Sequence, residues 1–189
     1  MSSCQIRATE RGILLRMNPP SAPTAAPVLG LHDFAFLTGS WRVHHRKLRR
    51  RLVGDTGWMV FAGTCRAWEI LDGAGNVDDN FLEDPAGPYR AATLRRCDPA
   101  TGLWSIWWAD TRRPGLDPPV HGRFTEGIGT FLGQDTHEGT PVTVRFLWSG
   151  ITAVHARWEQ AFSTDGGASW ESNWVMDFER ADSEMAPPA

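Results

Sequence analysis

The feature that most constrains this chain is an alternation of apolar and polar side chains with a period of two residues. Short groups of turn-forming residues interrupt it at 72–76, 98–102 and 165–167, and each group contains aspartate and glycine. The alternation is typical of strands with one buried face, and such turns join antiparallel neighbours. No segment between the turns is both long and helical in its period. The pattern therefore predicts an all-β protein.

The number of strands decides between architectures. Many consecutive antiparallel strands can protect their edges only by closing into a barrel or by stacking as two sheets. No long crossover connection of the Greek-key kind is visible, so we predict one up-and-down antiparallel barrel of nine or ten strands. The strands are expected near 40–49, 57–70, 76–83, 88–97, 103–110, 120–133, 141–149, 154–164 and 169–180.

The chain of 189 residues is expected to form one domain with loose ends. Residues 1–30 are rich in proline, alanine and serine and are predicted to be a disordered or loosely docked leader, with Met17 as an alternative start. The barrel is assigned to 31–180 and a disordered tail to 181–189. A short N-terminal helical turn is predicted after Asp33, which would act as its N-cap.

Composition excludes several classes of protein. A net charge of −3 and a hydrophobic content of 41% argue against a strongly basic nucleic-acid-binding protein and against an acidic disordered one. The one basic cluster, residues 44–51, is interpreted as a solvated strand face. We therefore predict no nucleic-acid partner and no membrane partner, while a homodimer stays open.

The three cysteines have no paired spacing, so they predict neither a disulfide framework nor a zinc site. The apolar run near the N-terminus is interrupted by charges and is too short for a signal peptide or a membrane span. These observations favour the cytoplasm. The histidines also lack metal-ligand spacing, and no metal site is predicted.

Several segments carry a family resemblance. They include HDFAFLTGSW at 32–41, LRRCDPATGLWSIWW at 94–108, GRFTEGIGTF at 122–131 and the long segment from Arg157 to Arg180. Together with other segments between 31 and 180, they resemble an uncharacterised bacterial family of small lipocalin-like, calycin-type domain proteins. The resemblance implies a barrel and no assigned activity.

In lipocalin-like barrels, the tryptophan of a Gly-x-Trp motif lies across the barrel floor, and an arginine at the end of the last strand stacks on it. Here the resemblance assigns the motif to Gly39 and Trp41 and the arginine to Arg180. These three residues are expected to close the barrel structurally. An arginine over an indole contributes about 0.5–2 kcal/mol.

Function is predicted from the tryptophans, which number ten and are spread over most strands. That is more than one floor contact requires, so we expect an interior pocket for an apolar or aromatic small molecule. An arginine at its mouth would suit an acidic group on the ligand. The predicted binding residues are Trp58, Arg66, Trp68, Trp108, Arg145 and Trp174.

Three alternatives stay open at this point. The barrel could be an isomerase or lyase acting on such a ligand, with His155, Arg157 and Glu159 as acid–base groups, provided that they face inward. It could bind haem through His155, as nitrobindin-like barrels do through one histidine, although no cofactor is the leading expectation. It could also be an interaction domain whose tryptophans only fill the core.

One further motif matches the Asp-box pattern of sialidases and other propellers. It comprises Ser163, Asp165, Gly167 and Trp170 within STDGGASW. Propellers repeat this box, whereas this chain has one copy. We interpret it as a structural hairpin turn, in which the Asp165 carboxylate accepts backbone N–H bonds and the indole packs beneath.

Overall fold

The computed structural model describes residues 30–181 of the chain. The predicted leader 1–30, with the alternative start at Met17, and the predicted tail 181–189 lie outside the described residues, apart from residues 30 and 181 themselves.

The described chain forms ten antiparallel strands in one sheet. Each strand pairs with the next one along the chain, and β1 also pairs with β10, so the sheet closes on itself. The predicted all-β, up-and-down barrel is therefore confirmed. The strands are β1 Gly39–Leu48, β2 Trp58–Ile70, β3 Gly75–Leu82, β4 Tyr89–Asp98, β5 Leu103–Asp110, β6 Val120–Thr125, β7 Ile128–His137, β8 Thr140–Ser149, β9 His155–Ser163 and β10 Glu171–Arg180.

One predicted strand proves to be two. The segment expected at 120–133 is divided into β6 and β7 by a two-residue turn at Glu126 and Gly127. Both residues have positive φ, 52° and 77° respectively. Two consecutive positive φ values match the right-handed twist of a hairpin, which is why this turn is so tight. The short turn therefore accounts for the tenth strand.

The pairing between β5 and β6 is the shortest in the barrel. It comprises three residue pairs, from Trp104 with Gly122 to Ile106 with Val120. By contrast, the pairing between β1 and β2 comprises ten residue pairs. Beyond Ile106, the edge of β5 that faces β6 has one further backbone hydrogen bond, which the Asp117 N–H donates to the Trp108 carbonyl at 2.8 Å.

One end of the barrel is sealed by aromatic packing and is called the closed end below. A 3-10 turn at Ala35–Leu37 inserts Phe34 there, and the Phe34 ring contacts Trp104 edge to face at 4.9 Å between ring centres. Asp33 does not cap the turn as predicted, because its carboxylate accepts the Trp104 indole N–H at 3.1 Å instead. The fully buried aromatic residues of this end are Phe34, Trp41, Trp104, Phe131 and Trp148.

The first and last strands meet at the closed end. Trp41 lies opposite Arg180 in the β1–β10 register, and the guanidinium carbon lies 3.7 Å from the indole centre. Arg180 also donates to the carbonyls of Phe36 and Thr38, at 2.9 and 2.6 Å. Gly39 has φ +113°, and a Cβ there would lie 2.8 Å from the guanidinium. The glycine thus makes room for the arginine that covers the tryptophan.

The Asp-box segment forms the connection between β9 and β10. The Ser163 hydroxyl donates to Asp165 at 2.7 Å, and the backbone N–H of Ser169 donates to the same carboxylate at 2.9 Å. These and the Ser169 hydroxyl bond hold the pKa of Asp165 far below its usual value. Gly167 lies against the Trp170 ring, where a Cβ would lie 3.3 Å from the indole. All these contacts are internal to the turn.

Candidate functional site

The opposite end of the barrel, called the open end below, contains a cavity. Connections 49–57, 83–88 and 111–119 and the tight turn 138–139 surround this end. The cavity has a volume of about 670 Å³ and reaches inward to side chains of the barrel interior. Sites for small molecules usually have volumes of about 300–1,000 Å³. The barrel therefore has one packed end and one hollow end.

Aromatic rings form the inner wall of the cavity. The Trp174 ring meets Trp108 and Trp158 edge to face, at 5.8 and 5.6 Å between ring centres. Phe146 meets Trp158 in the same way at 4.8 Å. Edge-to-face contacts leave part of each ring face free, and free ring faces can stack on a planar ligand. Trp108 and Phe146 are only partly buried because they face the cavity.

Cations gather at the mouth of the cavity. Lys47, the last inward residue of β1 before its end, lies 4.8 Å above the Trp174 ring and 3.3 Å from the Asp84 carboxylate. Arg112 pairs with Asp110 at 2.7 Å. Burial lowers the pKa of Lys47, and the neighbouring charges of Arg51 and Arg112 lower it further, whereas Asp84 raises it. The cations are thus close enough to repel one another.

Arg51 differs from the other cations at the mouth. Its guanidinium carbon lies 5.3 Å from the centre of the Phe162 ring, and it forms no ion pair with any carboxylate within residues 30–181. Burial lowers the pKa of Arg51; Tyr89 and Glu171 oppose this effect and Arg112 adds to it. The Glu171 carboxylate accepts the Leu52 backbone N–H at 2.9 Å. Arg51 is therefore a half-buried positive charge that faces the cavity.

Asp110 holds the Arg112 guanidinium at the mouth of the cavity. Burial alone would raise its pKa, but hydrogen bonds from the side chain and backbone of Arg112 lower it to about 2. The Arg112 guanidinium lies 3.6 Å from the centre of the Tyr89 ring. Burial in turn raises the pKa of Tyr89 to about 12, so this phenol stays protonated. The pair is a fixed part of the wall.

His45 lies deeper on the same wall as Lys47. It is buried, stacks on Phe61 at 4.7 Å between ring centres, and accepts the Trp174 indole N–H on Nδ1 at 3.2 Å. Burial, followed by the charge of Lys47, lowers the pKa of His45 to about 3, although Asp84 acts in the opposite direction. The imidazole is therefore neutral, with its proton on Nε2. It orients the Trp174 ring that Lys47 covers.

A buried polar cluster lies still deeper, on β3 and β4. Arg95 pairs with Asp78 at 2.7 Å, and both side chains are at least 95% buried. Arg95 also donates to Asn76 at 2.7 Å, and Asn80 donates to Asp78 at 2.5 Å. Alternation on β4 places Thr93 and Arg95 on the inward face. An ion pair here is buried inside the barrel rather than exposed on its surface.

The structure places two of the six predicted binding residues in the cavity, Trp108 and Trp174. The other four lie on the outer wall. Both faces of β2 carry large apolar residues, so its alternation did not reveal that Met59, Phe61 and Cys65 face inward. Arg145 is on the outer face of β8, 4.4 Å from the Trp170 ring centre. The corrected outer-wall residues are Trp58, Arg66, Trp68 and Arg145.

The predicted acid–base residues also lie outside the barrel. On β9 the inward residues are Trp158, Gln160 and Phe162. His155, Arg157 and Glu159 occupy the opposite face, where Arg157 pairs with Asp177 at 2.7 Å. The isomerase or lyase alternative required these three groups to face inward, and the structure places none of them in the cavity; His155, the predicted haem ligand, does not line the cavity either. No group of three or more potential metal ligands occurs within 30–181.

Sequence reasoning missed the residues that give the site its charge. Lys47 could have been found, because it shares the inward parity of Trp41, Val43 and His45 on β1. Arg51 lies in a connection, where no alternation applies. Arg95 has inward parity on β4, but only the strand register, which sets Thr93 opposite Asp78, reveals its buried partner.

Comparisons with known proteins identify neither a family nor a site for this chain. No family model and no curated protein matches this chain. Among solved structures, a redesigned β-barrel is similar over 82% of this chain and 99% of its own, with 8% identity and a TM-score of 0.44. Within residues 30–181, no helix has the length and apolar character needed to cross a membrane.

Proposed function

We propose that this protein binds a small aromatic acid in the cavity at the open end of the barrel. The observation that carries the proposal is the half-buried Arg51 guanidinium, which forms no ion pair with a carboxylate within 30–181 and lies beside an aromatic wall. Such a site combines ring faces for a planar body with a positive charge for a negative group. The aromatic body and the acidic group of one ligand can therefore be bound at the same time.

The charge inventory of the mouth supports an anionic group. Lys47, Arg112 and Arg113 each have an aspartate partner, namely Asp84, Asp110 and Asp117. Arg50 also has an aspartate partner, Asp55, and Arg49 is exposed, so Arg51 is the half-buried cation of the mouth without an ion pair within 30–181. Burial lowers the pKa of Arg51, and the positive charge of Arg112 lowers it further. A buried charge without a partner is unfavourable, and a carboxylate matches a guanidinium in a bidentate manner. An anionic ligand would therefore relieve the repulsion among these cations.

The interior supports an aromatic body. Trp108, Phe146 and Trp158 present ring faces and edges to the cavity, and the Trp174 ring is held in place by its bond to His45. A rigid wall loses little side-chain entropy when a ligand binds. Planar ligands are therefore favoured over flexible aliphatic chains.

The proposal is tested by titrating the protein with naphthoate while following tryptophan fluorescence. We expect quenching, and about tenfold weaker binding by the variant Arg51→Gln, which corresponds to the loss of one charge-assisted bond. Arg46→Gln is the matched control, because Arg46 is an exposed cation on the outer face of β1, 5.3 Å from Trp58.

Naphthalene methanol, which is neutral, distinguishes recognition of the carboxylate from nonspecific hydrophobic binding. Its affinity should be the same for the wild type and Arg51→Gln, since no carboxylate is involved. Equal weakening of both ligands, or equal weakening by both variants, would contradict the role of Arg51. No quenching by either compound would contradict the binding site itself.

Two further assignments, of the protein family and of the cell compartment, belong to the same proposal. We place the chain among small lipocalin-like proteins, on the closed ten-strand barrel with Trp41 under Arg180. We also place it in the cytoplasm, where the thiols of Cys65 and Cys97 would stay reduced.

A further inference from the structure

A small inner pocket adjoins the main cavity on its deep side. Its volume is about 30 Å³, which exceeds the roughly 10–15 Å³ needed to hold one water molecule. Ile106, Trp108, Phe146 and Trp158 line both spaces, so the two are neighbours. A group the size of a hydroxyl or carbonyl oxygen would fit in the inner pocket.

The inner pocket has one polar side. Asp78, Asn80, Thr93 and Arg95 line it there, and aromatic rings line it elsewhere. The Asp78 carboxylate is already used, since it accepts from the Thr93 backbone N–H at 2.9 Å as well as from Asn80 and Arg95. Asp78 therefore organises the cluster.

Three donors of this cluster are not used: the Asn76 side-chain amide, which does not line the inner pocket, and one donor each on Arg95 and Thr93, which do. Arg95 is 4% exposed, yet its Nε–H has no hydrogen-bond partner. The Thr93 side-chain hydroxyl likewise has no hydrogen bond to another residue within 30–181, although its backbone does. A buried donor without a partner is unfavourable, so natural structures seldom retain one without a reason.

We propose that the inner pocket receives a neutral polar group, a hydroxyl or carbonyl oxygen, at the end of the ligand remote from its acidic group. This inference rests on the proposed function. Arg95 offers its Nε–H and Thr93 offers its hydroxyl to that oxygen. The group is neutral because Asp78 already balances the charge of Arg95, so a second anion would gain no net attraction and would lose its hydration.

The ligand class is therefore narrower than an aromatic acid. The carboxylate binds at the mouth beside Arg51, the rings lie against the aromatic wall, and an oxygen at the far end reaches Arg95 and Thr93. A site built to hydrogen-bond a hydroxyl discriminates strongly against the analogue that lacks it, because its polar groups are then left without partners.

The test uses pairs of aromatic acids in three lengths: benzoate, naphthoate and biphenyl carboxylate, each with and without a hydroxyl at the end opposite the carboxylate. Fluorescence titration measures the affinity ratio within each pair. For at least one length we expect the hydroxylated acid to bind about tenfold more tightly. Ratios below about twofold for all three pairs would overturn the inner-pocket assignment.

Thr93→Val is the matched variant, because valine keeps the shape and the backbone bond to Asp78 while removing the hydroxyl. It should lower the affinity ratio of the best pair severalfold, whereas a general loss of binding would weaken both acids of the pair equally and leave the ratio as it is. Thr143→Val is the control: its hydroxyl is bonded to Gln134 at 3.2 Å on the outer face of β8. An unchanged ratio in Thr93→Val would contradict the role of Thr93.

A crystal structure of the best complex supplies the second measurement. The ligand oxygen should lie within hydrogen-bond distance of Arg95 Nε, and its placement elsewhere would overturn the proposal. The outcomes are distinguishable: tight binding of every acid with no preference for the hydroxyl contradicts the inner pocket alone. Failure of all six acids to bind contradicts the proposed function and the inference that rests on it.

Discussion

The two ends of this barrel are built from the same ten strands but solve opposite problems. At the closed end, Phe34, Trp41 and Trp104 are fully buried, and the cation Arg180 is held by carbonyls and an indole face. At the open end, Arg51 and Lys47 surround an open cavity. The difference indicates that the closed end supplies stability and leaves the open end free to hold unfavourable charges.

The first strand shows the change of environment within a few residues. Its inward side chains run from Trp41 at the closed end, through the neutral His45, to Lys47 at the mouth. The alternation that buries Trp41 also directs Lys47 inward, where burial lowers the pKa of its ammonium group. A regular strand can thus carry both core and site.

The largest expected effect tests whether stability is concentrated at the closed end. Replacing Trp41 with alanine removes a fully buried ring, its 2.6 Å bond to the Leu37 carbonyl and the surface under Arg180. We expect a loss of about 3–5 kcal/mol in the free energy of unfolding. Trp108→Ala at the cavity should lose only about 1–2 kcal/mol, since its ring is already partly solvated. Urea denaturation measures both.

Trp68→Ala serves as the control for those two variants. Trp68 is 45% exposed on the outer wall, so its removal should change the unfolding free energy by about 0.5 kcal/mol or less. Equal losses for Trp41→Ala and Trp108→Ala would break the comparison between the ends.

A middle-sized effect comes from one substitution made at both ends. Arg180→Gln removes the cation over Trp41 and the bonds to three backbone carbonyls, including Ala153 at 3.2 Å. We expect a loss of about 2 kcal/mol. Arg51→Gln removes a cation without an ion pair and should leave stability unchanged within about 0.5 kcal/mol, or raise it. Thermal unfolding in parallel decides; a large loss in Arg51→Gln would mean that Arg51 has a structural partner.

The smallest effect concerns the pH dependence of stability and tests whether His45, which lies between the two ends on β1, is in a buried environment. The pKa of His45 falls from 6.5 to about 3 on folding, so the unfolded chain binds the extra proton between these values. Stability from this group is complete above about pH 6.5 and falls as the pH drops, by about 1.4 kcal/mol per unit. Urea titrations between about pH 6 and pH 5 measure the slope.

His45→Gln should flatten that slope, because glutamine does not titrate and can still accept the Trp174 N–H. His44→Gln is its neighbour on the exposed face of β1 and should keep the wild-type slope. Identical slopes in both variants would show that His45 is protonated in the folded protein.

The barrel could be predicted from the sequence because the two-residue alternation and the turn-forming residues are both local features of the chain. Alternation indicates the strands and glycine with aspartate indicates the turns, while the pairing of Trp41 with Arg180 was expected only from the family resemblance. The sequence was less informative about which face is inward. On β2, Val60 and Trp68 are exposed while Met59 and Phe61 face inward, so hydrophobicity alone gave no answer.

The site was harder to predict because it depends on contacts between distant residues. A shift in the β9–β10 register between Ser172 and Trp174 puts Trp170 on the outer wall, whereas an unbroken alternation would put it on the same face as Trp174. The pairing of Asp78 with Arg95 depends on the register of β3 against β4. Arg51 is placed by a loop, and loops carry no period. Such features require the closed barrel before they can be seen.

The short join between β5 and β6 has a mechanical consequence. A ring of strands separates first where the fewest hydrogen bonds hold it, and here that is the three-pair join. Residues 107–110 already lack a strand neighbour on that side, and they end beside the 111–119 connection. Separation there would open the side of the barrel near the rim, while the aromatic packing of the closed end would stay intact.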